Sequence, residues 1–174
     1  KFAIDTVTGV GNPSDQMGYL LSENGLNIPQ KYHQRIMKRW GASGCLPLSK
    51  FAPYASYVLI ILTFYYFSLA SNLISFDQPT SFVDSLYLFY MPFCKLFISS
   101  DKLHHSCAPL FLRDNQIYIK GDDLKIDLRN IAEYYKHFSD SVDEIDKREN
   151  YHTPPKDGKF LISDVWDKFI PDWR

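Results

Sequence analysis

The apolar positions of this chain fall into three patterns, and each predicts a different kind of element. Residues 51–76 carry no charged side chain, a tract that at about 1.5 Å per residue would cross a hydrocarbon layer roughly 30 Å thick. Ser56, Thr63, Ser68, Ser71, Asn72 and several tyrosines interrupt it, and neither a second such tract nor a clear basic flank accompanies it. A long buried central helix, from about Pro53 to Ile74, is therefore the preferred reading over a membrane span. The second pattern is a short run rich in aromatic and β-branched residues. Residues 93–98, after a break at Pro92, and residues 116–120, ending at Gly121, predict strands.

The third pattern is helical spacing. Leu124, Leu128, Ile131 and Tyr135 mark one face of a helix whose start Asp122 or Asp123 would cap. Residues 15–23 predict a short helix closed by Asn24-Gly25, and residues 29–40 another, basic on one side through Lys31, Arg35, Lys38 and Arg39. Residues 1–6 predict a short strand ending at Asp5, and residues 102–114 an irregular stretch or short helix. Gln78-Pro79-Thr80-Ser81 reads as a turn and cap that puts Asp84 in the first turn of the next helix. Residues 139–158, charged and containing Pro154-Pro155, read as a linker, and residues 161–173 as an amphipathic segment that docks back. Strands alternating with helices imply an α/β fold: a short parallel sheet flanked by helices, in one domain over residues 1–138, followed by the linker and docking segment of residues 139–174.

Charge and cysteine content narrow the function only a little. The 174 residues include 19 Lys and Arg against 20 Asp and Glu, so any nucleic-acid partner needs a local basic patch. Cys45, Cys94 and Cys107 are an odd number without framework spacing, which suits a reducing compartment, the cytoplasm being the expectation. The chain opens at Lys1, without the basic-then-apolar pattern of a secretion signal.

The chemistry expected of this pattern lies between residues 84 and 104. A strand emerging on Ser99-Ser100-Asp101 after a helix headed by Asp84 would set two carboxylates at one sheet edge. Such an edge suits Mg²⁺ or Mn²⁺, hard ions that take oxygen ligands, and hence phosphodiester hydrolysis. Other constellations carry less. His104, His105 and Cys107 lack a zinc spacing, because adjacent histidines point in different directions. Gly9-Val-Gly11 lacks the Lys-Ser/Thr of a phosphate loop. Asp122, Asp123 and Asp127 read as a solvated helix start.

These residues also resemble a known family. Asp84-Ser-Leu-Tyr-Leu, then Lys95-Leu-Phe-Ile-Ser99-Ser-Asp101-Lys, is similar to the carboxyl half of PIN-like ribonuclease domains, where an acid opens a helix and a strand leads to Ser/Thr-x-Asp. The wider string, from Phe51-Ala-Pro-Tyr to the closing Asp-Trp-Arg174, looks like uncharacterised bacterial proteins of that group. The resemblance implies a Mg²⁺- or Mn²⁺-dependent nuclease, acting on RNA, single-stranded RNA first, with DNA left open, as a toxin or defence effector with an antitoxin or other protein partner. Its metal ligands would be Asp84, Asp101 and Asp5, with Ser99 orienting a carboxylate or bound water, and Lys102 or the Arg35-Lys38-Arg39 face meeting phosphate. The family's second acid, usually Glu on an intervening helix, has no counterpart between Asn24 and Phe76; Glu23 is an early substitute, and further acids are expected upstream of Lys1. Two other classes stay open: a noncatalytic interaction protein on a degenerate nuclease fold, and a small membrane-anchored protein using residues 51–76.

Overall fold

The structure, a computed structural model, describes residues 13–23, 25–74, 80–138, 153–156, 159–170 and 172–173. It is mostly helical, with one short parallel strand pair, which is compatible with the α/β expectation. The chain divides into two compact units, Lys1–Phe93 and Cys94–Arg174. The strand expected over residues 1–6 and most of the expected linker lie outside the described residues.

In the first unit, α1 (Pro13–Leu21), a 3-10 turn (Gln30–Tyr32), α2 (His33–Ala42), α3 (Leu48–Phe51), α4 (Pro53–Ala70) and α5 (Thr80–Tyr87) follow one another, and a 3-10 stretch (Leu88–Phe93) ends it. Met17, Leu20, Leu21, Trp40, Leu48 and Leu59 form its core. Two helices stop for the same reason. After α2, Gly44 takes φ 79°, the Gly44 N–H donates to the Gly41 carbonyl and the Cys45 N–H to that of Trp40. After α4, Asn72 takes φ 56°, and the N–H groups of Asn72 and Leu73 donate to Leu69 and Ser68. Both are left-handed caps that satisfy terminal carbonyls. The Asn72 cap ends the long helix at Ala70 and not at the expected Ile74.

Burial of α4 also differs from expectation. Ser56, Leu59, Ile61, Tyr65, Ser68 and Leu69 are buried, while Ile60, Tyr66 and Phe67 are exposed. The helix is thus covered on part of its circumference, a correction to the buried central helix inferred from its unbroken apolarity. Its uncharged sequence leaves no polar side to mark which face meets the core.

In the second unit, β1 (Leu96–Ser99), α6 (Lys102–Cys107), a 3-10 turn (Ala108–Phe111), β2 (Ile117–Lys120), α7 (Gly121–Phe138) and α8 (Leu161–Phe169) follow in order. β1 and β2 pair in parallel, Leu96 opposite Ile117 through Ser99 opposite Lys120. Buried Gln116 ties their leading ends: its amide donates to the Cys94 carbonyl at 2.7 Å and accepts from the Arg113 N–H at 2.9 Å. The strand expected over residues 93–98 begins later because residues 88–93 wind as a 3-10 stretch containing Pro92.

α8 packs on α7, so the expected docking segment does dock. Its anchor is Asp127, whose two carboxylate oxygens accept the Leu161 and Ile162 N–H groups at 2.9 and 3.0 Å. These are otherwise orphan donors of the first turn of α8. Lys168 adds a bond to the Gln116 carbonyl at 3.2 Å, and Tyr134 packs edge-on against Phe160. Asp127 is only 9% exposed and Leu128 is 49% exposed. The expected solvated acid is therefore a buried acceptor, and the expected core leucine faces outward, because the inward stripe of α7 runs through Leu124, Asp127, Ile131 and Tyr134.

Candidate functional site

In a parallel pair both strands finish on the same edge, which is where α/β folds gather functional side chains. Here β1 emerges on Ser99-Ser100-Asp101, and β2 on Lys120-Gly121-Asp122-Asp123. No loop separates β2 from α7. The turn is possible because position 121 is glycine: a Cβ there would collide with the Ser100 hydroxyl and stand 3.2 Å from the Ser100 nitrogen.

Asp101 is the acid that follows β1 at this edge. It caps α6, its Oδ1 accepting the N–H groups of Leu103 at 2.7 Å and His104 at 3.2 Å. Both bonds fall on Oδ1 and neither on Oδ2. The Asp101 N–H donates to the Ser99 hydroxyl at 3.1 Å, and that hydroxyl is hydrogen-bonded to Nδ1 of buried His104 at 2.8 Å. His104 packs edge-on against Phe97. Ser99, Asp101 and His104 thus form one fixed network, in which Ser99 orients the acid's backbone.

The neighbouring strand adds Asp122. Its Oδ1 accepts from the Ser100 hydroxyl and from Lys125, each at 3.2 Å. The hydrogen bond from Lys125, then that from Ser100, hold its carboxyl below the usual range, although the group is fully exposed. Asp122 and Asp123 lie in the first turn of α7, which begins at Gly121, two residues before a cap role for Asp122 would start it and three before one for Asp123.

Beside this edge lies a groove of about 370 Å³, lined in part by His105, Tyr118, Lys120, Asp123 and Asp164. The rings of His105 and Tyr118 stack with centroids 6.2 Å apart, and the Tyr118 hydroxyl donates to the Ser99 carbonyl at 3.1 Å. Burial, followed by the charges near it, Asp101 foremost, pushes the Tyr118 hydroxyl pKa upward. Burial likewise pushes the Cys107 thiol up to about 11, which disfavours the thiolate form a nucleophile needs. His104 turns inward and His105 outward, the divergence expected of adjacent histidines.

Of the expected ligands, Ser99 and Asp101 come together. Asp84 sits on α5 in the first unit, half-buried and a full turn inside the helix, not in its first turn, because the helix already begins at Thr80. Asp5 lies outside the described residues. Glu23 follows α1 and is exposed. Among the described residues no group of three or more His, Cys, Asp or Glu side chains gathers in a way that could hold a metal ion, so these residues alone do not complete a donor set for Mg²⁺ or Mn²⁺. Sequence reasoning missed the groove and the anchoring role of Asp127. The signal for the second was a charged residue at core spacing, three positions after Leu124 and four before Ile131.

No family model, curated protein or solved structure matches this chain.

Proposed function

We propose that the chain is a nuclease of PIN-like type that hydrolyses phosphodiester bonds, single-stranded RNA being the preferred substrate. The observation that supports this reading is the pair Asp101 and Asp122, delivered by adjacent parallel strands to one edge and bridged through the Ser99-Ser100 turn. In this reading Asp101 presents Oδ2 to a divalent ion, Mg²⁺ or Mn²⁺, with Asp122 adding negative charge at the same edge. Exposed Lys102, next to Asp101, meets the phosphate.

The test uses Asp101→Asn. Asparagine caps a helix about as well as aspartate, so α6 should survive while the ligand charge is lost. Mn²⁺-stimulated cleavage of labelled RNA should fall by at least about a hundredfold, a loss of roughly 2.7 kcal/mol in transition-state stabilisation, with an unchanged thermal midpoint. Cleavage that persists at the wild-type level would dismiss the reading. A second reading, a noncatalytic interaction domain on the same scaffold, is favoured by the cap itself, since Asp101 already has a structural task. It predicts no cleavage by the wild-type chain with any divalent ion.

A further inference from the structure

We propose that the first unit docks on an anionic lipid bilayer, lying on its surface through the uncovered side of α4 and the aromatic residues around it, with the basic stripe of α2 meeting lipid phosphates. The inference is independent of the nuclease reading.

The first observation is the amount of apolar side chain left in water. Tyr66 is 61% exposed, Phe67 55%, Leu73 79%, Tyr90 67% and Phe93 71%, all in one unit. Scattered single apolar residues are ordinary on a protein surface; an uncharged helix that leaves several large ones uncovered marks an interaction site. α4 is also, among the described residues, the one helix long and apolar enough to cross a membrane.

The second observation selects the partner. Residues 25–74 contain five basic residues, Lys31, Arg35, Lys38, Arg39 and Lys50, and no Asp or Glu. All five are exposed. The first four recur at the spacing of one helical face, opposite Ile36 and Trp40, which turn toward the core. Tyr32 supports the stripe from beneath, with Lys31 Nζ 5.0 Å and the Arg35 guanidinium 5.4 Å from its ring centroid. The bare aliphatic and tyrosine side chains of α4, in a stretch whose exposed charges over residues 25–74 are all cations, are complementary to the headgroup region of an anionic bilayer, where phenol rings settle at the interface and Lys and Arg meet phosphate, although Glu23 lines a cavity with Tyr66.

The third observation sets the mode of contact. α4 buries Leu59, Ile61, Tyr65 and Leu69 within its own unit, and the Tyr57 hydroxyl donates to the Leu88 carbonyl at 2.8 Å. The helix is held among its neighbours and ends at the Asn72 cap, so it lies along the membrane instead of leaving the fold to span it.

The experiment is sedimentation of the full chain with vesicles of phosphatidylcholine alone, and with added phosphatidylserine, at low and high salt. Binding to the anionic vesicles should exceed that to neutral ones by about tenfold or more and weaken as salt rises. Tyr66→Ser with Phe67→Ser should abolish binding to both. Lys38→Glu with Arg39→Glu should remove only the preference for phosphatidylserine, each charge being worth about fivefold near such a surface. Circular dichroism checks that each variant is folded, and the charge-reversal pair keeps the test decisive if the serine pair is not. Absence of vesicle binding, binding that ignores both pairs, or a solution dimer that the serine pair dissociates without any lipid affinity would each overturn the proposal, the last assigning the face to a second copy of the chain.

Discussion

The two units are held together by different physics. The first relies on apolar contact: Met17, Leu20, Leu21, Trp40, Leu48 and Leu59 interlock, and its long helix has no charged side chain. The second buries His104, Gln116, Asp127 and Ser163 beside Cys107, Ala108, Ile119 and Val165, and ties its elements through side-chain bonds to backbone groups. Among the described residues every buried side-chain nitrogen and oxygen has a partner. Apolar packing tolerates variation in shape but is sensitive to lost volume. A polar scaffold loses little from volume changes and much from a single unpaired group. The difference teaches that the second unit depends on buried charged and amide groups, Asp127 and Gln116, whereas the first, with buried Ser56, Ser68 and Ser85 and the bonds of Tyr57 and Trp40, depends chiefly on apolar volume.

The largest test of this contrast is Trp40→Ala, which removes the biggest core side chain of the first unit together with its bond to the Leu46 carbonyl. A loss of about 3–5 kcal/mol is expected in denaturant unfolding, and Trp40→Phe should recover most of it. Asp127→Ala comes next. It leaves two N–H groups without an acceptor, and a loss of about 2–3 kcal/mol is expected, together with faster proteolysis around α8. If Asp127→Leu were as stable as wild type, the polar account of the second unit would be wrong.

Gly121→Ala should cost about 1–3 kcal/mol through overpacking against Ser100, and Gly121→Ala combined with Ser100→Gly should restore part of it. The smallest effect concerns Cys107. Its folded-state pKa, about 11, stands above the ordinary thiol value of 9.0. A raised value means that the neutral thiol is favoured in the fold, so its contribution is complete below pH 9 and is lost as pH climbs from 9 through 11. Cys107→Ala should flatten the alkaline decline of stability over that window, and alkylation should modify exposed Cys45 well before Cys107.

Much of the element order was legible because it follows from local chemistry. The β-branched and aromatic run around Phe97, the alternation of residues 117–120 and the apolar spacing after Gly121 each specify an element without reference to distant residues. The end of α4 was not, because an asparagine in the left-handed conformation leaves no mark on hydropathy; Asn72 reads as one more interruption in an apolar tract. Its bare side was equally hidden, since a uniformly apolar helix contains no polar stripe from which to infer the covered one. At the candidate site, the sequence pointed to Asp101 and Ser99 at a strand end, and the structure brings them together. It did not disclose that Asp101 also caps α6, or that Asp127 reaches an element 34 residues away, because long-range acceptors have no local signature.

That long reach has a bearing on the order of assembly. The acceptor pair for Leu161 and Ile162 exists in space only after α7 has formed, and closing a loop of this length costs entropy before any bond is returned. Docking of α8 is therefore expected to follow the formation of α7, and hydrogen exchange at these two amides should report its release while the protons bonded between β1 and β2 remain protected.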